Sequence, residues 1–402
     1  MKNKKKIRSF LRIKSGKIMH DGKPVTLKGV NVGGWLMMEG YILHAPIRAS
    51  WVFKKEFRRE LGGQALREFE VGFQDTFIRE QDFKRIAQWG CNCVRVPFNY
   101  RLLEKPDYKG GQDDIHYLDN VVKWAEKYQI WVILDLHAAW GSQNHDWHSD
   151  STGDAELWTS HDNQNRTLHL WATIAKRYRD SLAVAGYDLL NESVISNPAL
   201  LNSFYKKIIE TIRRYDPHHI LFIEGNNWAR DVDCLEPFKD DNYALSIHFY
   251  DPIDFTFNFI PHMTYPLRFR FTKATLFNIL QGYARLAHKR GRPVFVGEFG
   301  VNYRQGLYGE DIWLKNMLDC FKQFGFHWTY WTYKAVKNSV FPDGLMSYYD
   351  NPPWVNRMGP DTGWDCYAKH WQKDRKDIIK SWKTENFKEN KRLTRILKAY
   401  LK

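Results

Sequence analysis

Along the chain, apolar, β-branched and aromatic residues gather into eight short runs, at 25–31, 91–97, 130–137, 187–193, 220–225, 243–250, 293–300 and 326–331. The runs are nearly continuous rather than alternating, which is the pattern of parallel strands covered by helices on the outside. Between most of them apolar residues recur at helical spacing. Phe83, Ile86 and Ala87 share one face of 79–89, and Leu118, Val121, Val122 and Ala125 do so in 115–128. Residues 164–178, 198–215, 271–290 and 309–324 repeat the pattern, while the fifth connection shrinks to 232–238. Strand and helix alternating eight times predict an α/β fold, a single (β/α)8 barrel.

Three departures add detail. Residues 41–75 read as a mostly helical insertion after the first strand, long enough to shape one side of the barrel mouth. Residues 337–365, rich in Pro, Gly and Asn, read as a long loop after the eighth. Trp371, Ile378 and Trp382, then Phe387, Leu393, Ile396, Leu397 and Tyr400, mark the last barrel helix and an extra C-terminal one, at about 366–402. No low-complexity linker divides the chain, so residues 18–402 are expected to form one barrel domain behind a basic arm at 1–17.

Composition changes this picture in three places. The 17 Trp, 21 Tyr and 25 Phe among 402 residues exceed what a core needs, so some rings are expected to line a surface on which a sugar, nucleobase or lipid stacks. The net charge of +14 invites a nucleic-acid partner, but its placement argues against one. Residues 1–17 carry eight basic side chains and no acid, and residues 369–402 carry twelve basic and four acidic ones; what remains, 18–368, holds 40 basic and 42 acidic residues. Five cysteines, widely spread and without a C-x-x-C pair, fit a reducing compartment. No apolar segment follows the basic N-terminus and no run is long enough to span a membrane, so a cytoplasmic protein is expected, secreted only if a signal has been removed.

In such a barrel the C-terminal strand ends converge on one mouth. The polar residues at those ends are Arg95, His137, Asn191, Glu192, His248, Tyr250, Glu298 and Trp331. Asn191-Glu192 alone is equally a catalytic pair or a polar loop. Strands four and seven, however, lie on opposite sides of an eight-stranded barrel, which sets Glu192 and Glu298 face to face. Retaining glycoside hydrolysis needs such a pair, about 5–5.5 Å apart. Arg95 and Tyr250 are expected to hold Glu298. Asn191 is placed to bond a sugar hydroxyl, and the negative Glu298 is expected to raise the pKa of Glu192 so that it carries a proton at rest.

These residues resemble the site of glycoside hydrolase family 5, the cellulase-like retaining hydrolases, in all eight positions and in order. The resemblance implies Glu192 as acid/base, Glu298 as nucleophile and Trp331 as a platform under the sugar, with no cofactor and no catalytic metal. Gly33-Gly34-Trp35-Leu36-Met37-Met38-Glu39 and Gly141-Ser142-Gln143-Asn144 are similar to motifs of the exo-1,3-β-glucanases in that family. They imply that Glu39 closes the site behind a terminal sugar, with Trp35 and Asn144 as substrate-binding or supporting residues; the competing reading is that Glu39 forms a salt bridge within the insertion. His145, Asp146, Trp147, His148 and Asp150 depart from that subgroup. Their spacing fits no metal template, and Trp147 is expected to shape the aglycone side. The expected activity is that of an exo-acting β-glucosidase or exo-1,3-β-glucanase-like enzyme on β-glucans, oligosaccharides or β-glucosides. An endo-β-1,4-glucanase or β-mannosidase is the alternative within the family, and a non-catalytic carbohydrate-binding barrel the alternative outside it. The expected partner is thus a carbohydrate, with no nucleic acid and no membrane span.

Overall fold

The computed structural model describes residues 7–44, 47–103, 114–267, 270–357 and 363–402, with backbone only at 363–365. Eight strands form a closed barrel: β1 (Lys28–Asn31), β2 (Cys93–Asn99), β3 (Trp131–Ala138), β4 (Val184–Asp188), β5 (Ile220–Glu224), β6 (Tyr243–His248), β7 (Val294–Phe299) and β8 (His327–Tyr330). Neighbours are paired in parallel all the way round, and β8 returns to β1. Each strand is buried along almost its whole length, which is why the runs lack alternation.

Around the barrel lie α1 (Ser50–Phe77), α2 (Glu80–Trp89), α3 (His116–Tyr128), α4 (His161–Tyr178), α5 (Pro198–Arg213), α6 (Lys273–Arg290), α7 (Glu310–Phe324), α8 (Gly363–Ser381) and α9 (Lys391–Tyr400). Several are stopped by the expected signals. Asn197 caps α5 with Pro198 behind it, and left-handed glycines at 90, 291 and 325 end α2, α6 and α7.

Two expectations need correction. The fourth strand runs Val184–Asp188, earlier than the 187–193 read from the apolar run; beyond Asp188 the chain turns away, so Asn191 and Glu192 stand on the loop above the strand. Residues 232–238 form no helix, since seven residues that include Pro237 cannot sustain a nucleus. A short turn at Asn226–Ala229 fills that connection instead.

Residues Arg12–Lys14 and Lys17–His20 form an antiparallel hairpin, so the boundary expected at residue 17 falls inside one structural unit. Leu11, Ile18 and Leu27 pack there against Cys93, Trp131 and Phe222 and close the bottom of the barrel. All five cysteines are free thiols, and no helix among the described residues is long and apolar enough to cross a membrane.

The insertion and the C-terminal segment pack on each other beside the barrel. Phe57 and Phe69 of α1 meet Trp371 of α8, and Phe69 and Phe73 meet Trp382 edge-on. Lys334, just past β8, locks this layer to the barrel. Its fully buried ammonium donates to the carbonyls of Phe77 and Trp382, both at 2.5 Å, and to Thr384 Oγ1 at 2.9 Å. Replacing it with Met strands two buried carbonyls, so Lys334→Met should lower the unfolding free energy by about 3 kcal/mol in urea titrations; an unchanged midpoint would refute this account of the layer.

Candidate active site

Arg95, on β2, is the centre from which the site is built. Its side chain is completely buried and points up the barrel axis. Nε donates to Asp188 Oδ2 at 2.8 Å, Nη1 to Glu298 Oε1 at 2.8 Å, and Nη2 to Asn191 Oδ1 at 2.8 Å and Glu224 Oε1 at 3.1 Å. Asp135 Oδ1 lies 3.1 Å from Nη2. A buried guanidinium requires this compensation. Burial pushes the Asp135 carboxyl up to about 8 against the pull of Arg95, and raises Asp188 well above the usual carboxylate range with help from Glu224.

Glu298, at the end of β7, has both oxygens occupied: Arg95 holds Oε1, and the Tyr250 hydroxyl donates to Oε2 at 2.8 Å. This is the support expected for it. Glu192 is built differently. Its backbone is left-handed, at φ +49°, a conformation costly for a residue with a Cβ. Two side chains hold it there. Glu224 Oε2 accepts the Glu192 N–H at 2.5 Å, and Asn144 Nδ2 donates to the Glu192 carbonyl at 2.8 Å. The nearest oxygens of Glu192 and Glu298, together with a nitrogen of His248, lie within 4.8 Å of one another.

His248 Nδ1 is 2.7 Å from Glu192 Oε1 and 3.6 Å from Glu298 Oε2, and its Nε2 is 3.1 Å from Glu224 Oε1. Burial pushes its pKa down, but Glu224, Glu298 and Glu192 lift it well above the usual value. The expectation that Glu298 raises the pKa of Glu192 is therefore corrected. Burial does raise it, but the hydrogen bond and charge of His248, with His148 beyond, outweigh that and bring it down to about 2.

The remaining expected residues divide. Glu39 is 3 % exposed and lines the cavity; His137 Nε2 lies 3.6 Å from its Oε1, and among the described residues no ion pair joins it to the insertion. Burial, then Glu298 and Glu192, raise its pKa well above the usual carboxylate value. His137 donates or accepts at Asp135 Oδ2, 2.7 Å from Nδ1, and its ring stacks on Trp331 at 5.5 Å and 7°. Trp331 in turn donates its indole N–H to the Tyr41 hydroxyl. Gly33 makes room for it, because a Cβ there would come 2.7 Å from the Trp331 ring. Trp147 lines the outer wall with Tyr41 and Phe341.

Three expected contact residues stand behind the cavity instead. Asn191 and Asn144 are fully buried, bonded to Arg95 and to the Glu192 backbone. Trp35 turns outward, donating to the Gln74 carbonyl at 2.8 Å and stacking on Trp124, because its position on the loop faces the insertion. Gln143 explains the rest of its motif: its amide donates to the carbonyls of His137 and Asn191, both at 2.7 Å, tying the β3 and β4 loops together.

The cavity so formed holds about 450 Å3. Asp135, Asp188, Glu224, Tyr41 and His148 were not singled out as site residues from the sequence. The first three are acids within or ending apolar strands, a signal that could have flagged them. Asp135, Asp188 and Glu224 bring oxygens within 4.8 Å of one another, but the Arg95 guanidinium already supplies the positive charge there.

A parallel eight-stranded barrel with two carboxylates this close across its mouth has the design of a retaining O-glycoside hydrolase. Comparison with known proteins agrees. Residues 56–337 match the family described as Cellulase (glycosyl hydrolase family 5). A β-xylosidase of Phanerodontia chrysosporium is 32% identical, over 82% of this chain and 71% of its own. A probable glucan 1,3-beta-glucosidase A of Aspergillus fumigatus is 30% identical over 55% of this chain and 58% of its own. The crystal structure of endoglucanase Cel5A from Thermotoga maritima superposes with a TM-score of 0.58, at 20% identity, over 76% of this chain and 89% of that one. The chain belongs to glycoside hydrolase family 5.

Arg95→Met leaves four carboxylates around an absent cation and should cost about 3–5 kcal/mol of stability. Arg95→Lys keeps the charge but cannot span the same partners, and should fall between. Equal melting temperatures for wild type and Arg95→Met would contradict the central role of this residue.

Proposed function

We propose that the protein is an exo-acting retaining β-glycosidase that removes a terminal sugar, most simply glucose, from β-glucans, oligosaccharides or β-glucosides. The observation that carries the reading is the Glu192–Glu298 pair, with oxygens within 4.8 Å. That spacing suits the retaining route and is short of the roughly 6.5–9.5 Å that inversion requires to admit a water. Glu298, oriented by Arg95 and Tyr250, is the nucleophile. Glu192, on the loop after β4, is the acid that protonates the leaving oxygen and then the base that activates water.

Glu39 supports exo action. It is a buried carboxyl that lines the cavity with His137 and Trp331, and one of its oxygens lacks a hydrogen-bond partner. An unpaired buried oxygen of this kind is satisfied by a sugar hydroxyl, and a polymer threading past it would have to displace the same wall. A second reading at the sugar level comes from the β-xylosidase relative, which favours a pentose.

A panel of aryl β-glucoside, β-xyloside and β-mannoside separates the sugars, and product anomers should show retention. Glu192→Gln and Glu298→Gln should each lower kcat/KM on unactivated substrates by at least about 10³-fold. Inverted product, or full activity in Glu298→Gln, would sink the mechanism. Reducing-end-labelled laminari-oligosaccharides should shorten by one sugar at a time; early mid-chain products would exclude the pocket built around Glu39.

A further inference from the structure

The His/Asp-rich loop at 145–150 is unused by the reading above, yet it reaches the acid/base. Each oxygen of Glu192 faces an imidazole, and each imidazole is backed by another carboxylate. On one side, His248 Nδ1 lies 2.7 Å from Oε1, with Glu224 3.1 Å from His248 Nε2. On the other, His148 Nδ1 lies 3.5 Å from Oε2, with Asp146 Oδ2 3.5 Å from His148 Nε2.

The two sides differ in their access to water. His248 is closed in by Glu192, Glu224 and Glu298, so its proton is held by three carboxylates. His148 is 14 % exposed and Asp146 29 % exposed. The loop is nevertheless fixed. Trp228 Nε1 donates to Asp146 Oδ2 at 2.7 Å, Asn144 Oδ1 accepts the Asp146 N–H at 2.8 Å, and Ser142 Oγ donates to the Ser149 carbonyl at 2.9 Å.

We propose that Asp146 and His148 form a proton relay behind Glu192, His148 being the positioning residue that holds the proton between steps and exchanges it with solvent. This rests on Glu192 being the acid/base. In the first step Glu298 bonds to the anomeric carbon and the glycosidic C–O bond breaks. The leaving oxygen takes a proton that passes from His148 Nδ1 through Glu192, leaving Glu192 a carboxylate and His148 neutral. In the second step water attacks the anomeric carbon, the bond to Glu298 breaks, and the proton released passes through Glu192 to His148. No net proton is gained or lost. The 3.5 Å gap is an ion-pair distance; such contacts tighten in the substrate complex.

The electrostatics around His148 favour this role. Burial lowers its pKa, but Asp146, Glu192 and, farther off, Glu298 raise it above the usual value; His148 in turn helps lower that of His137, whose ring centroid is 6.5 Å away. Asp146, raised by burial, is brought down to about 2 chiefly by His148 and remains a carboxylate. The imidazole is therefore easier to protonate than Glu192, which suits it to hold the proton between steps.

The test compares pH profiles and leaving groups for His148→Gln and Asp146→Asn. The basic limb of kcat/KM should move to lower pH in both, by about one unit or more in His148→Gln and less in Asp146→Asn. At pH 7 His148→Gln should lose about 10²-fold on phenyl β-glycoside and only a few-fold on the dinitrophenyl analogue, whose leaving group needs no proton. A raised KM with an unmoved limb would make His148 a substrate contact only. An upward shift would make it a charge that merely depresses Glu192; either result overturns the relay. Activity retained in Glu298→Gln would instead overturn the reading on which the relay stands.

Discussion

A single buried arginine dictates the site. A guanidinium in the middle of a barrel cannot be left unpaired, and Arg95 is surrounded by carboxylates from four other strands or their ends, Asp135, Asp188, Glu224 and Glu298. That requirement ties β2, β3, β4, β5 and β7 together electrostatically at the level where their side chains open to the mouth. Glu298 belongs to the cluster and to the cavity at once, so its orientation follows from the core's need for charge balance. Glu224 extends the same cluster to the Glu192 backbone and to His248.

Much of this was legible in the chain. Eight continuous apolar runs between amphipathic segments leave few alternatives to a closed parallel barrel, and Glu192 and Glu298 stand out because they follow the fourth and seventh runs. What was not legible is direction. Asn191 looks like a sugar-binding amide from the sequence, but its oxygen accepts from Arg95, and Asn144 donates to the Glu192 carbonyl; no pattern of neighbours along the chain reveals such bonds between distant segments. Trp35 sits in a site motif and turns its indole to Gln74, in an insertion whose packing only the fold defines. The pKa of Glu192 was misjudged for a related reason: Glu298 was visible as a neighbour, whereas the imidazoles on both oxygens were known only as residues near a mouth.

The mouth is shaped by elements outside the barrel. The α1–α8 layer is a packed aromatic lobe joined by Lys334, three residues after Trp331 in the chain. The Trp331 indole, which lines the cavity, is thus held from both sides, by Tyr41 of the insertion and by the segment that Lys334 secures. The motif glycine at 33 is the matching concession on β1's side, a missing side chain where a ring must pass.

Glu192 occupies a backbone conformation that glycine or asparagine would adopt at lower cost. The position is therefore held against local preference by its neighbours, Glu224 and Asn144. Libraries of this enzyme screened for thermal tolerance alone would enrich substitutions there first, trading the catalyst for a relaxed loop. A heat-resistant variant is worth keeping only if turnover is screened in the same round.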